Sequence, residues 1–133
     1  MKTKIAKKMF TFGIIMTMLI SMALVSNAES TLKAGDTVKG ATVAFRHTYS
    51  YANVISTATM SGYTNNSHIY DTVIITLKNT RNGIITTPST SGSGITAVTV
   101  NYSRPSGTTI VHSRSDYTYK NNGSATKTKT LKE

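Results

Sequence analysis

The chain has no cysteine, no tryptophan and only two prolines in 133 residues. The missing cysteine excludes a disulfide framework, a thiolate zinc site, a thiol nucleophile and a lipid-modified cysteine. Acid is scarce as well: five Asp and Glu stand against fifteen Lys and Arg, a formal net charge of +10. So few carboxylates leave no material for an acid-rich metal cage. Two of the five, Glu29 and Glu133, also lie at the two ends of residues 29–133, which disfavours a carboxylate pair for glycoside hydrolysis. Helical signals are lacking too, since no segment carries a sustained apolar stripe at 3.6-residue spacing. A chain of 133 residues holds one domain.

What is present begins with an export signature. Residues 1–8 carry Lys2, Lys4, Lys7 and Lys8 and no acid, residues 9–25 are almost wholly apolar, and Ser26-Asn27-Ala28 supplies small side chains at the −3 and −1 positions of a cleavage site. This predicts a signal peptide over residues 1–28, cut before Glu29. The alternative is a retained anchor, but the apolar run falls short of the ~20 residues that span a bilayer. The expected product is secreted and has no stable membrane insertion. After residue 28 there remain eleven Lys and Arg against five Asp and Glu.

Residues 29–133 read as all-β. Ser and Thr supply 34 of these 105 residues, which disfavours helix and suits strands. Residues 29–40 read as a polar lead-in with a short strand near 37–39, and residues 41–133 as a single domain. Alternating runs at 41–51, 53–60, 68–78, 84–87, 95–102, 108–120 and 124–131 predict seven to eight short strands, and turn signals recur about every ten residues. Val43, Phe45, His47, Tyr49 and Tyr51 share one face. So do Val54, Ala58 and Met60; Ile69, Val73, Ile75 and Leu77; Val98, Val100 and Tyr102; and Val111, Tyr117 and Tyr119. Asn82-Gly83 predicts a type I′ hairpin turn. Residues 88–94 read as a flexible Ser/Gly loop, and the Thr/Lys alternation of 124–131 as an edge strand guarded by lysine or a frayed tail. The expected architecture is an antiparallel β-sandwich, Ig-like or related.

Chemistry is less legible. His47, His68 and His112 have no ligand-type spacing, so they read either as three separate strand residues or as a group brought together by the fold. Hydroxyls, histidines and Asp36, Asp71 and Asp116 are present by abundance, but no Gly-x-Ser-x-Gly elbow appears. Asp71 falls in line with Ile69 and Val73, either aimed into the interior or turned outward by a bulge. All seven tyrosines follow residue 28, against one Phe there. That bias suits half-exposed rings with polar tips. Tyr49, Tyr51, Tyr70, Tyr117, Tyr119, Arg114, Lys127 and Lys129 therefore form the candidate binding surface. Its expected ligands are an anionic cell-wall polymer, a glycan or a surface protein; nucleic acid is not expected, nor is any cofactor or metal.

The signal segment followed by Ser/Thr/Tyr-rich alternating strands without cysteine resembles, in build, the uncharacterised small secreted β-proteins of Gram-positive bacteria. Bacteriocins of the lactococcin 972-like group are similar in that respect, although they are rich in Trp and this chain has none. The resulting expectation is a secreted non-enzymatic binding protein, with a bacteriocin-like antimicrobial protein as the alternative.

Overall fold

The structure, a computed structural model, describes residues 29–123 and 125–133; the predicted signal peptide lies outside the described residues. Nine strands follow one another: β1 (Glu29–Val38), β2 (Ala41–Ser50), β3 (Asn53–Ser61), β4 (His68–Asn79), β5 (Ile85–Thr86), β6 (Ser89–Gly94), β7 (Ala97–Ser103), β8 (Thr108–Lys120) and β9 (Lys127–Lys132). Every pairing is antiparallel. The strand order is β1-β2-β3-β7 in the front sheet and β5-β4-β8-β9 in the back sheet, with β6 also pairing β4. No helix among the described residues is long and apolar enough to cross a membrane.

The two-residue beat places the core. Val43, Phe45, Val54, Ala58, Met60, Val98 and Val100 of the front sheet join Ile69, Val73, Ile75, Leu77, Tyr117 and Tyr119 of the back sheet in one buried cluster. β1 lies against β9, β2 against β8, and β7 against β4 and β6. One face of each strand is thereby removed from water, the main favourable contribution to folding.

Asn121 ties the sheets together at one end. Its amide donates to the carbonyl of Lys39 at 3.1 Å, and its Oδ1 accepts from the Thr64 amide at 3.1 Å. Asn121 is fully buried, so truncating it removes the partner of the Lys39 carbonyl and the Thr64 amide and leaves a gap between the loops. Asn121→Ala is expected to cost about 2–3 kcal/mol in urea unfolding. A loss below 0.5 kcal/mol, the range of ordinary surface changes, would contradict this tie.

Four local expectations are corrected. Residues 29–40 are not a lead-in: β1 pairs with β2 along its whole length, Glu29 opposite Ser50 and Val38 opposite Ala41. Being an edge strand, it needs only a half-apolar face. Its loop, Lys39-Gly40, has both residues at positive φ, the type I′ geometry expected at Asn82-Gly83. At the latter site only Gly83 has positive φ, because Asn79 Oδ1 accepts from the amides of Arg81 and Asn82 and shapes a wider loop. Residues 88–94 are not a free loop, since β6 pairs with β4 from Ile69–Gly94 to Ile74–Ser89. Finally, the register of β8 slips between Thr76 and Leu77 of β4, so Ile110 is buried and Val111 is turned outward.

Candidate functional site

The register aligns the outward side chains of the front sheet in rows. Lys33 lies opposite Arg46, Arg46 opposite Thr57, and Thr57 opposite Thr99, so this row crosses all four strands. The row on one side is Thr31–Thr48–Ile55–Asn101, and on the other Gly35–Ala44–Thr59–Ala97. Small and hydroxylated side chains leave relief around the longer ones. An open depression of about 500 Å³ is lined by Lys33, Ala44, Arg46, Thr57 and Thr59. A second, of about 190 Å³, takes in Arg46, Thr48, Ile55, Thr57 and Glu29. A third, of about 140 Å³, is lined by Glu29, Thr48, Tyr49, Ser50, Asn53 and Ile55. Shared walls join the three into one trough on β2 and β3.

The electrostatics of this face are unusual. Like charges directly opposite one another on neighbouring strands repel, yet Lys33 and Arg46 are such a pair. The one ion pair among the described residues lies elsewhere, between Arg114 and Asp116 at 3.0 Å on the outer face of the back sheet.

The residues singled out from the sequence do not converge. Tyr117 and Tyr119 are buried against Phe45, with ring centroids 4.7 and 5.1 Å away, so they are core and not surface. With one Phe among the described residues, tyrosine fills the other aromatic core positions, and its hydroxyl is accommodated by buried polar groups. Burial pushes the Tyr117 phenol up to about 12. The Tyr119 phenol, raised mainly by burial and then by its bond to Asp36, donates across the sheets to Asp36 Oδ2. Tyr49 is half-buried, with its ring 5.9 Å from that of His47. Tyr51 sits in the β2–β3 turn with the Arg104 guanidinium 5.0 Å from its ring centroid. Tyr70 is on the outer face of β4, donating to Ser91 Oγ at 3.0 Å. Arg114 is held by Asp116. Lys127 donates to the Thr37 carbonyl at 2.8 Å, and Lys129 is half-buried beside Tyr117 in register. The exposed tyrosines thus lie on different parts of the surface.

The histidines separate as well. His68 starts β4 and is exposed, His112 contacts the Glu133 carbonyl at 3.3 Å, and His47 is buried. The described residues contain no group of three His, Cys, Asp or Glu placed to hold a metal ion. Asp71 does point inward, where it meets a buried polar stripe that sequence reasoning missed because its serines sit alone on otherwise apolar faces. Ser115 Oγ lies 2.7 Å from His47 Nδ1 and donates to Ser56 Oγ at 2.8 Å. Ser56 Oγ is 2.7 Å from the Tyr117 oxygen, which donates to the Arg46 carbonyl at 3.1 Å. The proton directions follow: His47 to Ser115, Ser115 to Ser56, Ser56 to Tyr117, and Tyr117 to the backbone. Each hydroxyl proton is used once and none is left for Asp71. Both Asp71 oxygens, and His47 Nε2, are unpartnered among the described residues. Burial pushes the Asp71 carboxyl up to about 6, with nearby Ser56 opposing the rise and Asp116 adding to it. Burial lowers His47, against a smaller raising effect of Glu133.

This order differs from a nucleophile–base–acid triad. There the acid orients the imidazole and the imidazole faces the hydroxyl that reacts. Here Asp71 lies at the tyrosine end of the stripe, away from His47, and Asp71, His47, Ser56 and Ser115 are all fully buried. The stripe links the two sheets through the core. No family model, no curated protein and no solved structure matches the chain.

Proposed function

We propose that this chain is a secreted, non-enzymatic β-sandwich, Ig-like or related, that binds a cell-surface polymer or glycan through the outer face of its front sheet. The observation that carries this reading is the trough on β2 and β3, where Arg46, Thr48, Ile55 and Thr57 are shared between adjoining depressions. Export is supported by the leader pattern at residues 1–28. The non-enzymatic reading is supported by the enclosure of the Ser–His–Asp stripe, whose groups have no exposed surface for a substrate to reach.

The absence of cysteine makes the test clean. Thr57→Cys coupled to a polyethylene-glycol maleimide places a plug in the trough, and Thr118→Cys, coupled in the same way, places one on the opposite outer face. In co-sedimentation with isolated bacterial cell walls, the Thr57 conjugate is expected to lose most of its binding and the Thr118 conjugate to keep it. Equal retention by both conjugates would remove the front face from consideration.

A further inference from the structure

Resting on that reading, we propose that Lys33 and Arg46 seat a phosphodiester group, and that the occupant of the trough is a polyol-phosphate chain. Two cations held side by side, with no carboxylate paired to either among the described residues, form a site whose repulsion an anion relieves. The guanidinium of Arg46 offers a planar fork suited to two phosphate oxygens, and Lys33 adds a point charge. The largest of the three depressions, about 500 Å³, is lined by both residues of this pair. Glu29, the acid on the same face, lines the two smaller depressions, the nearer one together with Arg46, and sits four positions from Lys33 along β1, roughly 13 Å at strand rise.

The surroundings select the rest of the ligand. Thr31, Thr48, Thr57, Thr59 and Thr99 carry their hydroxyls on a backbone grid of about 5 Å across strands and about 7 Å along them, with the Thr31 and Thr48 oxygens 3.3 Å apart. Such a grid exchanges hydrogen bonds with the hydroxyls of a flexible polyol. No aromatic side chain stands in the rows that flank the pair, where the one large apolar residue is Ile55. A nucleobase or a flat sugar ring would therefore find no stacking platform beside the pair, since the half-buried Tyr49 lines only the third depression. The excess of eleven Lys and Arg over five Asp and Glu after residue 28 adds long-range attraction for a polyanion.

Titration calorimetry of the purified protein with poly(glycerol phosphate) fragments tests this, with neutral dextran and a single-stranded oligonucleotide as comparison ligands. Poly(glycerol phosphate) is expected to bind best, and more weakly as salt is raised. Lys33→Ala and Arg46→Ala are each expected to weaken it about tenfold or more with thermal unfolding unchanged or slightly raised, while Lys120→Ala on the back sheet changes it less than twofold. An equal loss with Lys120→Ala would mean diffuse charge attraction and overturn the site. Stronger binding of dextran or of the oligonucleotide would overturn the ligand class. If poly(glycerol phosphate) fails to bind while the Thr57 conjugate still blocks wall binding, the phosphodiester assignment falls and the binding face stands. If neither effect is seen, both fall.

Discussion

Asp71→Asn is expected to raise stability at pH 8 by about 1–3 kcal/mol and to change it by less than about 0.5 kcal/mol at pH 4. The carboxyl of Asp71 is pushed from 3.8 to about 6 in the fold. Between those values the folded protein holds a proton that the unfolded chain releases, so stability falls as pH rises through that window and stays reduced above it. The gap corresponds to about 3 kcal/mol as an upper figure. Asn resembles the protonated acid, so it removes the alkaline loss and leaves the acid side alone. His47 acts in the opposite direction. Its folded value is lowered from 6.5, so its contribution is lost as pH falls below that point. Urea unfolding of both proteins at pH 4 and pH 8 is the check, and an equal effect of Asp71→Asn at the two pH values would contradict the buried, unpartnered carboxylate.

Gly94→Ala is expected to destabilise the fold by at least about 3 kcal/mol, a drop of more than about 10 °C in Tm. At the end of β6 the chain crosses from the back sheet to the front sheet in two residues, and a Cβ on Gly94 would collide with the backbone carbonyl of Ala97. Backbone on both sides leaves no flexible side chain to yield. Gly92 gives the internal comparison. A Cβ there would lie 3.1 Å from a Val100 methyl and 3.2 Å from a Val98 methyl, which can move aside by a few tenths of an ångström. Gly92→Ala is expected to cost about 1 kcal/mol. Thermal unfolding of the two variants checks this, and losses of equal size would contradict the close backbone crossing.

These two glycines show where sequence reading ran short. Residues 88–94 look like a linker because Ser, Thr and Gly carry no apolar alternation. An edge strand whose inner face is only half-buried needs none, and the glycines let β7 approach. β1 was hidden in the same way: its neighbours in the fold, not its own side chains, make it a strand. By contrast, β4 was legible throughout, because Ile69, Val73, Ile75 and Leu77 keep a strict beat on a strand buried by both neighbours. The candidate surface was read less well. Arg46, Thr57 and Thr59 stood on the outward sides of their strands, but nothing in one dimension sets Lys33 beside Arg46. That juxtaposition is a property of register. The tyrosines misled because phenols are usually half-exposed, whereas this core carries a polar stripe that accommodates Tyr117.

Amide chemical-shift mapping during titration with solubilised wall polymer tests the binding face most directly. The predicted result is a set of perturbations centred on Lys33, Arg46 and Thr57 and spreading along β2 and β3. Perturbations confined to the outer face of β4 and β8, or none at saturating polymer, would contradict it.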